Sequence, residues 1–214
     1  MLNQKIINYN INGRKIPLNF ENPLDNYIIS FCDYFINFCL KYKITPNIVT
    51  ITRIFLSFYI IYLLYFTTYI YFPIIGITIF YFMDCLDGHL ARLTDQVTVL
   101  GDYLDHNADL FFYINFLIYI FYKTYIYKFY IIISFVILSY LALVHLSLQQ
   151  KNYKLIIYDN LNKDLIKNNI EDCEILDKLK YLHNFEPNNI KWSKYFGTGT
   201  LYTSMLFIVY LIKK

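Results

Sequence analysis

The chain has 214 residues, of which 57% are hydrophobic and 21% aromatic, and its mean hydropathy is +0.36. A soluble domain of this length is rarely so apolar, and the values favour an integral membrane protein. The net charge is +3 and the lysines cluster at the ends of apolar runs, which argues against nucleic acid as a partner. No two of the four cysteines form a CxxC pair, and their spacing indicates neither a zinc site nor a disulfide framework.

The N-terminal segment, residues 1–44, has no recognisable signal sequence and contains one predicted amphipathic helix over residues 24–42. The apolar face consists of Leu24, Ile28, Phe31, Phe35, Phe38 and Tyr42, and the polar face of Asn26, Ser30, Asp33, Asn37 and Lys41. Such a pattern fits a helix at the membrane interface and equally a helix packed on the protein itself. We take the interfacial helix as the working prediction.

Residues 45–214 are predicted to form an all-α membrane domain, a bundle of five to six transmembrane helices. A helix crosses a hydrocarbon core of about 30 Å at about 1.5 Å per residue. The apolar runs that approach or reach this length are residues 47–66, 74–93, 98–122, 129–148 and 195–212. The segment 151–194 is too polar for lipid, with eight lysines and seven acidic residues, and a surface helix is expected over 171–184.

The distribution of lysine and arginine predicts the topology. If the spans alternate in direction, one side of the membrane has Lys41, Lys43, Arg92, Lys151, Lys154, Lys191 and Lys194, and the other has Lys123, Lys128, Lys213 and Lys214. The positive-inside bias assigns the first side, which includes the polar segment 151–194, to the cytoplasm.

The most informative stretch is residues 84–109, DCLDGHLARLTDQVTVLGDYLDHNAD, in the polar halves of two neighbouring spans. Its carboxylates recur at helical spacing, at Asp84, Asp87, Asp105 and Asp109. Because an isolated carboxylate inside a membrane is costly, we expect these groups to face a cavity and to share a counter-charge. A pair of divalent cations is the natural counter-charge, and the site would lie at the cytoplasmic side.

The pattern DxxDGxxAR, eight residues, then GxxxDxxxD resembles the signature of the CDP-alcohol phosphotransferase family. Every signature position is filled, by Asp84, Asp87, Gly88, Ala91, Arg92, Gly101, Asp105 and Asp109. The resemblance implies an enzyme that uses a CDP-linked lipid donor, an alcohol acceptor and two divalent cations, Mg²⁺ or Mn²⁺. It also implies a homodimer and six or more spans, so a sixth span either lies within 151–194 or is missing from the C-terminal half.

The resemblance assigns roles to the four aspartates. Asp84, Asp87, Asp105 and Asp109 are the predicted metal ligands. Asp105 and Asp109 are also the predicted catalytic residues. Asp109 is either the base that accepts the alcohol proton or a plain fourth ligand.

The predicted substrate-binding residues are Gly88, Ala91, Arg92, Gly101, Asn47, Thr50 and Arg53. The small residues of the first motif would let a nucleotide approach the helix. Arg92 would pair with a phosphate, hold an aspartate or only anchor the helix at the membrane surface, and Gly101 would allow close helix packing. The last three residues come from TPNIVTITR at 45–53, which resembles the start of the family's first membrane helix; they would contact nucleotide or phosphate, or serve only the local structure.

Histidines give conflicting indications about the substrate. His106 in DHNAD is similar to the DHxxD form of choline and ethanolamine phosphotransferases, whereas His89 in DGHLAR is similar to the DGHxAR form of phosphatidylinositol synthases. His145 would line an acceptor pocket or, as we favour, form a hydrogen bond between helices.

The leading hypothesis is therefore an enzyme of phospholipid biosynthesis that transfers a phosphatidyl group from CDP-diacylglycerol to a small polyol such as inositol or glycerol phosphate, releasing CMP. One alternative is a choline or ethanolamine phosphotransferase, which combines a CDP-amino alcohol with diacylglycerol. Another is a non-catalytic membrane scaffold. Membrane prenyltransferases also use aspartates and magnesium, but their two aspartate motifs lie much farther apart.

Overall fold

The computed structural model of the protein describes residues 13–124, 128–160 and 186–214. The regular elements in these ranges are all helical. The α-helices there are α1 (Pro23–Lys41), α2 (Pro46–Phe66), α3 (Tyr71–Leu93), α4 (Val99–Lys123), α5 (Lys128–Asn160), α6 (Ile190–Ser193) and α7 (Thr198–Lys213). One-turn 3₁₀ helices, Pro187–Asn189 and Lys194–Phe196, flank α6. The surface helix expected over 171–184 falls outside the described residues. Of the segment 151–194, where a sixth span was expected, residues 151–160 continue α5 and Ile190–Ser193 belongs to the stretch that leads into α7, while 161–185 lie outside the described residues.

Within the described ranges, the helical stretches long and apolar enough to cross a membrane are Pro46–Phe66, Tyr71–Leu93, Phe129–Tyr153 and Ile190–Lys213. The last of these joins α6, a 3₁₀ turn and α7. With 25 residues, α4 is of comparable length, but the acidic residues of the motif lie in its first half. This architecture confirms the predicted all-α integral membrane protein.

Local sequence determines where three of the helices begin. Asn22, Thr45 and Thr98 each accept a hydrogen bond from a backbone N–H in the first turn of α1, α2 and α4, respectively. Pro23 and Pro46 occupy the first position of α1 and α2, where the absence of an N–H costs nothing. The boundaries of these three helices fall within one residue of the expected ones.

Aromatic side chains form the core that positions the acidic helix halves. The α2 helix packs against both α3 and α4, and α7 contacts α1, α3 and α5. At the centre, the buried rings of Phe80 and Phe112 stack with their centroids 4.5 Å apart. These rings lie about one turn from Asp84 and Asp109, so the stacking fixes the separation between the two carboxylate-bearing segments.

The α1 helix packs on α3 through a face that the apolar pattern did not indicate. Its buried side chains are Asp25, Ile29, Cys32, Ile36 and Cys39. Most of the predicted apolar face stays uncovered, with 47% of Phe31, 53% of Phe38 and 59% of Tyr42 exposed. The helix therefore packs on the protein and also presents an aromatic stripe, the kind of surface that a helix at the membrane interface places among lipids.

The residues preceding α1 are bound to later parts of the chain. The Asn22 side-chain amide donates hydrogen bonds to the Lys194 carbonyl oxygen at 2.6 Å and to the Thr200 hydroxyl at 3.0 Å. The buried Glu21 carboxylate accepts a hydrogen bond from Gln149 of α5. These contacts bring the start of α1 against α5 and the beginning of α7.

Candidate active site

Arg53 of α2 lies at the centre of the acidic motif and is completely buried. Its Nη1 donates to the Asp84 carboxylate and lies 3.2 Å from Asp109 Oδ1, while Nη2 donates to Asp105 Oδ1 at 2.5 Å. The Phe80 ring lies beside the guanidinium, with its centroid 5.0 Å from the Cζ atom. Arg53 thus joins α2, α3 and α4 and supplies a positive charge to three carboxylates that the surrounding apolar residues would otherwise destabilise.

The three carboxylates that contact Arg53 form a candidate cation site. One oxygen from each of Asp84, Asp105 and Asp109 lies within 4.8 Å of the others. Hard cations such as Mg²⁺ and Mn²⁺ prefer donor sets made only of oxygen. Three carboxylates and one guanidinium leave two net negative charges, which one divalent cation would neutralise. The donor chemistry and the charge therefore both fit a divalent cation.

Asp87 lies apart from these three carboxylates. Its side chain is buried, and its Oδ2 accepts a hydrogen bond of 2.7 Å from Thr50. Because α2 and α3 run in opposite directions, Thr50 faces Asp87 one turn away from the point where Arg53 faces Asp84. The structure thus places Thr50 against an acidic residue of the motif, and the metal-binding role of Asp87 stays a prediction.

Gly101 allows the first turn of α4 to approach the first turn of α2. A Cβ atom at this position would lie 2.7 Å from Asn47 Oδ1 and 3.0 Å from Thr98 Oγ1. Such distances are shorter than normal van der Waals contacts, so a larger residue would force the two helices apart or displace Asn47. The geometry agrees with the packing role expected for Gly101 and places Asn47 beside it.

The space above Gly88 is partly filled by Arg92 of the same helix. A Cβ atom at Gly88 would lie 3.1 Å from Arg92 Nη1, the movable end of a flexible side chain. Arg92 Nε also donates a hydrogen bond of 2.6 Å to the Gly13 carbonyl oxygen. Ala91, next to Arg92, is half-buried. Gly88 therefore leaves the surface of α3 low at this point, with the guanidinium of Arg92 beside it.

Comparison with known families identifies the chain. A model of the CDP-alcohol phosphatidyltransferase family matches residues 43–161, which is 119 of the 214 residues and includes every signature position. The chain belongs to the CDP-alcohol phosphatidyltransferase family. No curated protein and no solved structure matches it significantly. It is thus a membrane phosphotransferase of phospholipid biosynthesis that uses CDP-alcohol and acceptor substrates, from a family that generally depends on divalent metals.

The three histidines that the structure of this family member describes have different surroundings. His89 is buried, with Nε2 2.7 Å from Asp33 Oδ1 and Nδ1 3.3 Å from the Gly13 carbonyl oxygen. Both of its ring nitrogens therefore have partners that connect α3 to α1 and to the segment before it. The His145 Nδ1 atom lies 3.1 Å from the Ser193 hydroxyl, which confirms the expected hydrogen bond between helices.

His106 is the histidine that lies beside the acidic residues. Its Nδ1 atom is 3.6 Å from Asp105 Oδ2 and 3.7 Å from Asp102 Oδ1. These distances are too long for strong hydrogen bonds, so the ring is not fixed by either carboxylate. A substrate that reaches Asp105 would also meet the His106 ring.

Two tyrosines and one aspartate of the CDP-alcohol phosphatidyltransferase site were not expected from the sequence. The Tyr202 hydroxyl of α7 donates a long hydrogen bond of 3.5 Å to Asp109 Oδ1. Tyr81 stacks on Tyr202, with ring centroids 4.7 Å apart, and its hydroxyl donates to the buried Asp25 carboxylate. Burial, together with the nearby charge of Glu21, raises the pKa of Asp25 to about 8.

Little in the sequence could have indicated these contacts. Tyr202 is one of 24 tyrosines and lies 93 positions from the aspartate that it contacts. Asp25 occupies the first turn of α1, where an acidic residue is ordinarily explained by the helix dipole. The only available signal for Asp25 was its position four residues before the apolar residue Ile29, on the face that proved to be buried.

Proposed function

We propose that the protein transfers the phosphatidyl group of CDP-diacylglycerol to a small polyol, such as inositol or glycerol phosphate, and releases CMP. The observation that carries this proposal is the convergence of Asp84 on α3 with Asp105 and Asp109 on α4 to within 4.8 Å of one another. Family membership supports CDP-alcohol chemistry, and the donor, the acceptor and the metal requirement are parts of the proposal.

The charge of the site suits a diphosphate substrate once cations are present. Four motif carboxylates and the Arg53 guanidinium leave three net negative charges, which would repel a CDP-linked donor. Two divalent cations, Mg²⁺ or Mn²⁺, held by Asp84, Asp87, Asp105 and Asp109 would reverse the sign to one net positive charge. Bound there, they would neutralise the diphosphate oxygens and stabilise the negative charge that builds up on the leaving group.

The residues of the chain would act on the acceptor and on one another. Asp109 accepts the proton of the acceptor hydroxyl as its oxygen bonds to the lipid-linked phosphorus, and CMP departs with the electrons of the broken phosphorus–oxygen bond. Tyr202 donates to one oxygen of Asp109 and leaves the other for this proton. Arg53 positions Asp84 and Asp105 on adjacent helices.

The residues around the motif indicate where the nucleotide would bind and on which side of the membrane the site would lie. Gly88 and Ala91 leave room for the nucleotide, and Arg92 is close enough to Gly88 to pair with a phosphate oxygen. We place the site at the cytoplasmic side because the positive-inside bias favours the side that carries Arg92 and Lys41. A homodimer is proposed on the family resemblance alone.

The second candidate function is that of a choline or ethanolamine phosphotransferase. The observation in its favour is the position of His106, 3.6 Å from Asp105, because this histidine supplies the similarity to the DHxxD form. His89 gave the competing similarity, to phosphatidylinositol synthases. Its ring nitrogens already have partners in Asp33 and Gly13, so His89 is less available to a substrate than His106 is.

The test is a donor and acceptor assay with the purified full chain. Labelled CDP-diacylglycerol is offered with inositol, glycerol phosphate or serine, and CDP-choline and CDP-ethanolamine are offered with diacylglycerol, while CMP release and the lipid product are measured. We expect CMP only from CDP-diacylglycerol, loss of activity with EDTA and recovery with Mg²⁺ or Mn²⁺. Release of CMP only from a CDP-amino alcohol would support the second candidate, and no release from any donor would support a scaffold.

A further inference from the structure

A cavity of about 210 Å³ lies at the end of the bundle opposite the acidic residues. Its polar lining comes from Thr67, Thr68, Tyr119, Lys123 and Lys213, so it joins the C-terminal ends of α2, α4 and α7. Thr67 follows Arg53 by fourteen residues, which places the cavity about 21 Å along α2 from the acidic site at about 1.5 Å per residue. The cavity is therefore separate from the catalytic residues and, where helices end, lies at the level of lipid headgroups.

This end of the bundle carries positively charged side chains and no described acidic side chain. Lys123 and Lys213 line the cavity, and Lys214 follows directly. The stretches of sequence that lead to and from this end, residues 54–83, 110–158 and 187–214, contain no Asp or Glu. No acidic side chain of these stretches can therefore neutralise the lysines.

Lys213 reaches inward to the carbonyl end of α2. Its Nζ atom donates to the Leu63 carbonyl oxygen at 3.3 Å and to the Thr67 carbonyl oxygen. These neutral acceptors suit a cation at a helix C-terminus, but they leave its full charge in place. The ammonium group is thus held at the cavity by carbonyl groups and pairs with no acidic side chain of the described residues.

Tyr119 provides an independent indication of a ligand. Its side chain is completely buried, it lines the cavity, and its hydroxyl has no hydrogen-bond partner among the residues that the structure describes. A buried hydroxyl without a partner costs free energy, and an oxyanion in the cavity would accept its hydrogen bond. A neutral donor next to two ammonium groups is the chemistry that binds a phosphate.

We propose that this cavity binds the phosphate of an anionic lipid headgroup, in the leaflet away from the acidic site. Lipid is favoured over free phosphate because the cavity lies at the ends of membrane-spanning helices. Phe66 and Tyr122 beside it are 75% and 71% exposed, as expected of aromatic residues that contact lipid at the membrane interface. The volume accommodates a phosphate together with the adjoining part of a glycerol unit.

The test measures thermal unfolding of the purified full chain in neutral detergent by circular dichroism. The probes are dihexanoyl phosphatidylglycerol, dihexanoylglycerol without phosphate, and inorganic phosphate at matched ionic strength. EDTA is present throughout, because the acidic site then keeps its net negative charge and repels anionic lipid.

The variants are Lys123→Gln/Lys213→Gln and Tyr119→Phe. The control is Lys214→Gln, which removes one positive charge, as the single change Lys123→Gln does, from a side chain that lies over the Tyr210 ring.

We expect phosphatidylglycerol to raise the Tm of the wild type and of Lys214→Gln with the same half-saturating concentration. In the double variant this half-saturating concentration should rise by about 100-fold, since each of the two lost hydrogen bonds to a charged group is worth about tenfold. Removal of the Tyr119 hydroxyl should raise the half-saturating concentration of phosphatidylglycerol by about threefold. If the double variant fails to fold, Tyr119→Phe and the single change at the exposed Lys123 carry the test.

If the lysine and tyrosine variants had the same half-saturating concentration of phosphatidylglycerol as the wild type, the proposed site would be overturned. An equal effect of dihexanoylglycerol would overturn phosphate recognition. If inorganic phosphate raised the Tm as much as phosphatidylglycerol did, and if this effect required the lysines, the cavity would be a site for free phosphate and the lipid proposal would be overturned. None of these results depends on transferase activity.

Discussion

The guanidinium of Arg53 lies 3.2 Å from the carboxylate of Asp109 and at the same time contacts two further motif carboxylates. Arg53 is fully buried, whereas the side chains of Asp84, Asp105 and Asp109 are 15%, 29% and 42% exposed, so the carboxylates can be reached from solvent. The arginine and the proposed cations therefore have the same electrostatic task, which is to compensate carboxylates held together inside a membrane protein. Their effects on stability should consequently be linked.

Replacing Arg53 by Met should destabilise the fold and make it more dependent on metal. Loss of the buried cation leaves the carboxylates unpaired and should cost about 3 kcal/mol in EDTA. Added Mg²⁺ or Mn²⁺ should then raise the Tm of this variant by more than that of the wild type, as measured by thermal unfolding in detergent. Arg14→Met is the control, because Arg14 is also buried but donates to Asn26 and Ser30. Equal metal-induced shifts in all three proteins would contradict the expectation.

Replacing either Asp105 or Asp109 by Asn should abolish catalysis and leave the protein expressed and folded. The amide has nearly the same shape as the carboxylate but neither binds a hard cation strongly nor accepts the alcohol proton, so CMP release should fall by about 100-fold or more. Asp102→Asn provides a control on the same helix, because Asp102 lies outside the group of three converging carboxylates. Unchanged CMP release in both site variants would favour the scaffold.

Leucine at Gly88 and leucine at Gly101 should have different consequences. At position 101 the new side chain meets Asn47 and Thr98, so we expect a loss of about 1–3 kcal/mol in stability, seen as a lower Tm. At position 88 the nearest atom is the movable end of Arg92, so the Tm should stay near that of the wild type. The KM for the CDP-linked donor should rise instead, because the nucleotide loses its approach to the helix. Similar losses of Tm in both variants would argue against the proposed nucleotide position.

Asp25→Asn should change how stability depends on pH. The pKa of Asp25 is raised to about 8 in the fold, against about 3.9 in an unfolded chain. The folded protein thus retains a proton that the unfolded chain releases, and stability falls as the pH rises from about 4 to about 8. The variant should lack this decline and gain at most about 5 kcal/mol over the wild type at pH 8.

Thermal unfolding in detergent at several pH values would measure the difference between the two proteins. Asp95→Asn, at the exposed turn after α3, is the control and should follow the wild-type profile. A parallel decline in Asp25→Asn and the wild type would show that another group causes it.

Sequence spacing indicated the acidic site well but not its internal pairing. The offsets of Asp84, Asp105 and Asp109 placed them on facing helix segments, and the structure brings them together. The partners on α2 could not be read from the same pattern, because they depend on the register between two helices that are adjacent only after folding. Arg53 was expected to contact nucleotide or phosphate, and the structure places it among the carboxylates; Thr50 is placed against Asp87 in the same way.

The orientation of α1 shows a second limit of periodicity. The helix has two apolar faces, and the pattern revealed only the larger one, which includes Phe31 and Phe38. The face that packs on the protein contains Asp25 and two cysteines, Cys32 and Cys39, whose small side chains permit close approach to α3. Periodicity detects an apolar face, but it does not distinguish a face that contacts protein from one that contacts lipid.

The bonds from Asn22 to Lys194 and Thr200 have a consequence for biosynthesis. A nascent chain still attached to the ribosome exposes Asn22 early, whereas its partners are translated more than 170 residues later. Likewise, Asp109 is translated 93 residues before Tyr202 of α7, its hydrogen-bond partner. A partly translated protein can therefore insert its first helices before the proposed base, Asp109, has its hydrogen-bond partner from α7.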